Sequence, residues 1–274
     1  MSQQPDTQPP TFQRSRPGIT PGMYQTYSAR TAGTSAAFLL PHLRPGMQLL
    51  DCGCGLGSIT VGLAEAVAPG RVVGLDLDAE AIKAAGKKAR ELGIANVSFE
   101  VGSLYELPFD DNSFDVAYEH MVLMHVPEPL KAVEEVYRVL RPNGVFGARD
   151  RDKENDVIGN PNAVSALFWD LFLKWQAHRP SDLGIGPRLP AVLEQAGFAD
   201  IEYSTSLTTG ESFENRLGQL DAFFTNPEIN GTIIGQGWAD QETLDRLPEA
   251  IKEWGRHPEA RLDLANANVI GWKK

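Results

Sequence analysis

Cysteine is nearly missing from this chain: among 274 residues only Cys52 and Cys54 occur. Separated by one residue inside a glycine turn, they do not suit a disulfide staple, and two thiols alone do not make a zinc site. They read as small residues packed under a ligand in a reducing cytoplasm, with thiol chemistry as the alternative. No stretch approaches the roughly 18 apolar residues that span a bilayer. The first residues, MSQQPDTQPPTFQRSRPG, lack the apolar centre of an export signal. A basic cluster is absent too, and 25 Lys and Arg against 36 Asp and Glu leave a net charge of −11. Neither DNA nor RNA is therefore expected as a partner.

What is present is ordinary for a globular chain, at 42% hydrophobic and 22% charged residues. The length suits one α/β domain with an appended cap. Residues 1–20 are rich in Gln, Pro and Ser and read as a disordered tail. The rest, 21–274, reads as a single domain.

The organising stretch is Leu49–Asp78, LLDCGCGLGSITVGLAEAVAPGRVVGLDLD. An apolar strand ends at Asp51, a turn follows with Gly53, Gly55 and Gly57, then a helix, then a strand ending at Asp76. Glycines take positive φ cheaply and let a ligand lie against bare backbone. The following helix offers unpaired N–H groups, and an acid at the tip of the second strand is placed to accept from ribose hydroxyls. These are the parts of an adenosine site. A nicotinamide fingerprint wants glycine in its third slot, where Ser58 stands, and no G-K-[ST] marks a phosphate loop. The spacing calls for another adenosine ligand.

Further on, strands are expected at Asn96–Val101, Phe114–Tyr118, Val145–Arg149, Ile201–Leu207 and Leu262–Trp272. Helices are expected at Thr31–Leu40, Ser58–Ala68, Ala79–Leu92, Pro127–Leu140, Asn162–His178, Leu189–Ala196, Glu211–Thr225 and Gln241–Gly255. Pro142-Asn143-Gly144 reads as a turn. Strict early alternation of strand and helix means a doubly wound, mostly parallel sheet with ligands along one edge. The segment 211–258 reads as a helical insertion that caps that edge.

LLDCGCGLG and VVGLDLD resemble the first two motifs of class I S-adenosylmethionine-dependent methyltransferases. The stretch from NVSFEVGSLYELPFDDNSFDVAYEH to VYRVLRPNGVF is similar, nearly position by position, to the region that follows in that family. The nearest flavour is the ubiquinone/menaquinone-biosynthesis-type branch, which acts on small molecules. The resemblance implies a Rossmann-like seven-stranded sheet with an antiparallel last strand. It implies S-adenosylmethionine as cofactor, with Asp51, Gly53, Gly55 and Gly57 lining its methionine part and Asp76 taking the ribose hydroxyls. Leu77 would pack on the adenine, Gly102, Ser103 and Leu104 would sit at its edge, and Glu119, His120 and Met121 would pass under the sulfonium. The family usually has Asp at the position of Ser103. Tyr24, Tyr27 and Arg30 match a segment that covers the cofactor, within residues 21–44. Arg30 would reach the methionine carboxylate; the alternative is that both tyrosines only pack the first helix.

Methyl transfer to a hydroxyl or amine is helped by a base near the fourth or fifth strand. His120, His125 and Asp150 are the candidates, against packing for His120, loop support for His125 and a solvated charged loop (RDRDKEND) for Asp150 and Asp152. Phe168, Trp169, Phe172 and Trp175 form an aromatic helix run. With Phe223, Phe224 and Trp238 in the cap, Trp169 and Phe172 suggest a pocket for a flat, largely apolar acceptor, against the reading that the run is core. A small-molecule substrate is expected, and a homodimer is compatible with the chain. A cofactor-binding protein of the same fold, acting as a cyclase or a non-transferring partner, is the other reading.

Overall fold

The computed structural model describes residues 27–178, 181–208 and 226–274. A short helix, α1 (Ala32–Ser35), precedes the regular alternation. Then come β1 (Leu49–Cys52), α2 (Thr60–Val67), β2 (Val72–Asp76), α3 (Ala79–Glu91), β3 (Val97–Val101), β4 (Phe114–His120), α4 (Pro129–Val139) and β5 (Leu140–Arg151). After β5 the order is β6 (Val157–Gly159), α5 (Ala163–His178), α6 (Leu189–Gln195), β7 (Phe198–Thr208), α7 (Pro227–Gly235), α8 (Gln241–Gly255) and β8 (Arg261–Lys273).

The sheet runs β3-β2-β1-β4-β5-β8-β6, with β7 pairing the other side of β8. β1 to β5 are parallel, while β8 is antiparallel to β5, β6 and β7. The eighth strand adds no new position. Arg151 pairs with Asn266 and Val157 with Asp263, so β6 continues the line of β5 along β8 after a short interruption. The expected Rossmann-like sheet with an antiparallel last strand is the one observed.

Local chemistry explains the helix starts. Asp78 caps α3 by accepting from the N–H of Glu80 at 2.9 Å, and Asp240 caps α8 through the N–H of Thr243 at 2.8 Å. In α3 only Ala81, Ala85 and Ala89 are buried, which lets that helix lie close to the sheet. Leu50, Ala117, Phe146 and Val269 build the core on one sheet face, with Val133 and Val136 of α4 and Leu189 and Leu193 of α6. Leu49, Val116, Tyr118 and Ile270 build it on the other, with Leu39 and α2.

Some expectations need correction. The helix expected over Thr31–Leu40 stops at Ser35. Thr31 and Thr34 bond each other's backbone N–H in a capping box that starts the helix, and Ala36, at φ −120° and ψ 15°, leaves the helical region and ends it. Pro142-Asn143-Gly144 is a bulge inside β5, with Asn143 at φ 65°, where the pairing shifts between Phe114 and Val116. α7 was not expected. Its start carries a legible signal, because Asn226 caps through the N–H of Glu228 at 2.9 Å and Pro227 takes the first helical position. The expected helix Glu211–Thr225 and the tail 1–20 lie outside the described residues. Of the segment 211–258, α7 and α8 share an apolar cluster with α5 that includes Phe168, Ile233, Leu247 and Trp254.

Candidate active site

The site begins where β1 ends. Gly53 and Cys54 both donate their N–H to Leu75 O, at 2.7 and 3.0 Å, which folds the turn back onto β2. Gly53, Gly55 and Gly57 have φ of 75°, 52° and 70°, a region that other residues enter at a cost. Their surroundings differ. A Cβ on Gly53 would come 2.4 Å from Val122 Cγ2, and one on Gly57 would come 2.8 Å from Ala85 Cβ. A Cβ on Gly55 would meet nothing within 4 Å. The outer two glycines serve packing, and the middle one borders open space.

Gly55 also donates its N–H to Asp76 Oδ2 at 2.9 Å, while the N–H of Asp78 holds Oδ1 at 2.9 Å. The carboxylate at the tip of β2 is thus fixed by two backbone donors, and its remaining lone pairs are free for a diol. Ser58 accepts from Lys88 Nζ at 2.7 Å, so the third-slot hydroxyl is spent on α3. Asp51 is buried and accepts from Thr60 Oγ1 at 2.6 Å. Burial, and then the charge of Asp76, push its carboxyl up to about 7, against the Thr60 bond. A carboxyl so placed favours a cationic neighbour. Gly102 donates to Asp76 O at 3.1 Å, and Leu77 is 45% exposed at the rim. Ser103 Oγ accepts from the N–H of Tyr105 at 3.2 Å. Leu104 packs against the core.

A family model described as a methyltransferase domain matches residues 43–176. An uncharacterized methyltransferase of Schizosaccharomyces pombe is 35% identical, over 90% of this chain and 81% of the relative. The demethylmenaquinone methyltransferase of Listeria monocytogenes is 30% identical, over 60% of this chain and 75% of the relative. The chain belongs to the class I S-adenosylmethionine-dependent methyltransferases. Among solved structures, the YcgJ protein of Bacillus shares the fold, with a TM-score of 0.62 at 21% identity over 87% of this chain and 97% of that one. S-adenosylmethionine is the cofactor of this methyltransferase, and the residues present fit it: open space at Gly55, a fixed acceptor at Asp76 and a cation-seeking Asp51.

Beyond the cradle, the parallel pairing of β4 and β5 sorts the charged residues of this methyltransferase. His120 lies in register with Arg149, and Glu119 with Ala148. Side chains alternate along a strand, so His120 and Arg149 lie on the α1 side, while Glu119 and Asp150 lie on the α4 side. Met121, just past β4, has φ 59° and donates to Arg149 O at 2.8 Å. Glu119 Oε2 accepts from the N–H of Val122 at 3.0 Å, and Oε1 has no partner. Burial, then the Asp150 carboxylate, hold Glu119 well above the ordinary range. His120 is half-buried with an unpartnered Nδ1, and burial, Arg30 and Arg149 keep its imidazole neutral.

Of the three candidate bases, His120 and Asp150 lie on opposite faces of the sheet. Asp150 lies inside β5, fully buried, and accepts from the N–H of Met124 at 3.0 Å. Burial pushes it up to about 7, against backbone donors at Met124 and Arg151. The solvated-loop reading of RDRDKEND fails for its first half: Arg149, Asp150, Arg151 and Asp152 are all buried. The physical reason is that β5 extends to Arg151 and pairs with β8 there. His125 Nδ1 is 2.9 Å from Ser181 Oγ, which ties the segment after β4 to the one before α6.

Of the cofactor-covering segment, Tyr24 lies outside the described residues. Arg30 stacks over the Tyr27 ring at 4.6 Å. Phe223 and Phe224 also lie outside the described residues. Trp169 and Phe172 stack at 5.1 Å, both half-buried. Phe172 packs against both the α5–α7–α8 cluster and the sheet core on the α4 side. Trp238 joins the former cluster and meets His178 edge-on at 5.9 Å. Burial raises both thiols far from their reactive range, in keeping with packing roles for Cys52 and Cys54. Among the described residues no group of His, Cys, Asp and Glu suits a metal ion, and no helix is long and apolar enough to cross a membrane. Sequence reasoning missed Arg149. Its signal was the alternation in ARDRD, which puts arginines on one face of β5 and aspartates on the other.

Proposed function

We propose that this methyltransferase moves the methyl group of S-adenosylmethionine to a small, largely aromatic or apolar acceptor by in-line displacement. The observation that carries this reading is the stacked, half-buried Trp169–Phe172 pair, lying between the core beside β4 and the α7–α8 helices. Such a pair offers a flat apolar wall to a ring.

The cofactor, when bound, supplies an electrophilic methyl on a sulfonium. The chain's share is alignment and proton management. The turn at Gly55 would line the methionine part, the carboxylate of Asp76 would hold the ribose hydroxyls, and Arg30 would meet the methionine carboxylate. Asp51, which a cationic neighbour would ionise, would take the amino end. Alignment must bring the acceptor atom to about 3 Å from the methyl, opposite the sulfur. His120 would take the proton of an acceptor hydroxyl or amine: its imidazole is neutral, though burial, Arg30 and Arg149 make it a weak base. Asp150 and His125 would serve this step by supporting that strand end, through Met124 and Ser181.

Incubating the chain with S-adenosylmethionine and a panel of hydroxyl- and amine-bearing aromatic compounds tests this directly. Release of S-adenosylhomocysteine with a methylated product supports it. Cofactor binding with no turnover across the panel favours a non-transferring protein of the same fold.

A further inference from the structure

Arg149 and Arg151 stand two residues apart on β5, on the same sheet face, with 7% and 5% of their surface exposed. Their surroundings differ sharply. Arg151 pairs with Asp156 at 2.6 Å and donates to Ala265 O at 2.6 Å. Arg149 makes no ion pair with any described residue, donates from Nη1 only to the neutral Asn268 Oδ1 at 3.3 Å, and leaves Nε without a partner. The acids of β4 and β5, Glu119 and Asp150, are held on the opposite face by strand alternation. Among the described residues, the groups beside Arg149 on its own face are neutral or cationic apart from the Tyr118 hydroxyl, which favours its charge, and the acid of β1 on that face, Asp51, lies two strands away. Asn268 continues to Ser206 and Ser204 at 3.1 and 3.5 Å, His120 lies across on β4, and Arg30 adds a second positive charge that works against the first.

A buried guanidinium without a counter-ion costs free energy that the folded chain alone does not recover. Its planar fork matches a carboxylate. We infer that Arg149, with His120 and Asn268 beside it, binds an anionic oxygen group of the methyl acceptor: a carboxylate or an ionised enol or phenol. This rests on the functional reading above and narrows it, giving the aromatic or apolar acceptor an acidic end. Arg149 lies one strand beyond β4, away from β1 and Asp76, so it is placed for the acceptor, with the cofactor carboxylate left to Arg30.

The test titrates the chain, saturated with S-adenosylhomocysteine, with 1-naphthoate and with the neutral 1-naphthamide. The acid is expected to bind tighter by about tenfold or more, as charge-assisted bonds do. In Arg149→Gln that preference disappears while S-adenosylhomocysteine affinity is retained; in Arg149→Lys, which keeps charge and loses the fork, part of it remains. Because the charge removed has no ion pair among the described residues, Arg149→Gln melts no lower than the parent chain without ligand. Equal binding of acid and amide, or no measurable binding of the acid, overturns the inference, as does a preference that survives Arg149→Gln. Loss of S-adenosylhomocysteine binding in Arg149→Gln overturns it too, by giving the guanidinium to the cofactor. A parent chain that binds no S-adenosylhomocysteine contradicts the functional reading itself.

Discussion

The N–H of Gly55 donates to Asp76 Oδ2 at 2.9 Å, tying the turn after β1 to the tip of β2. The bond joins the loop that bares its backbone to the acid proposed to accept the ribose hydroxyls. With open space on its other side, Gly55 is the position where a side chain harms binding more than folding. Gly55→Ala is expected to cost ~1 kcal/mol of stability for its positive φ and to weaken S-adenosylhomocysteine binding by about tenfold or more. Gly57→Ala meets Ala85 and Phe99 and is expected to lose ~1–3 kcal/mol by overpacking as well as strain. Denaturant melts and calorimetric titration of both variants separate the two effects.

Cofactor affinity should depend on pH through Asp51. Burial holds this carboxyl at about 7 in the free chain, and a cationic amino group beside it favours the ionised form. Affinity is therefore expected to rise as pH increases from about 6 to about 8, with proton release on binding. Titration in buffers of different ionisation enthalpy reads that proton directly. Asp51→Asn should bind more weakly and show a flat profile over the same range.

Stability of the free chain should move the other way. Asp51 and Asp150 both bind protons in the folded chain up to about pH 7, whereas the unfolded chain releases them near pH 4. Between those values the folded form holds more protons, so stability falls as pH rises and levels off above the window. Melting temperature without cofactor is expected to be higher near pH 5.5 than near pH 8 by a few degrees. Asp150→Asn stays neutral throughout, keeps an oxygen for the Met124 N–H, and should flatten part of that slope.

The aromatic wall makes separable predictions. Trp169→Ala is expected to raise KM for an aromatic acceptor with little change in S-adenosylhomocysteine affinity. Phe172→Ala, which removes a ring shared by two apolar clusters, should also cost ~2–4 kcal/mol of stability. Steady-state kinetics with thermal melts checks both. Unchanged KM in Trp169→Ala removes the wall from the acceptor pocket.

Much of the cradle was legible because its chemistry is local. Positive φ demands glycine at Gly53, Gly55 and Gly57, and a strand tip presents Asp76; both are properties of a few consecutive residues. Other features depend on pairing that sequence periodicity does not reveal. β8 extends β5 to Arg151 and buries the charged run from Arg149 to Asp152, which reads as a loop from its composition. His125 is spoken for by Ser181, 56 residues later, a contact no motif announces. That Arg149 has no ion pair with a described residue likewise follows only from seeing Asp156 taken by Arg151.

The central claim, that the Gly55–Asp76 unit holds S-adenosylmethionine, is tested most directly by titrating S-adenosylhomocysteine into the parent chain and into Asp76→Ala. The account predicts one-to-one binding by the parent, weakened by tenfold or more in Asp76→Ala at roughly equal melting temperature, as lost charged hydrogen bonds to a diol require. Equal affinity in both proteins, or no binding by the parent, would contradict it.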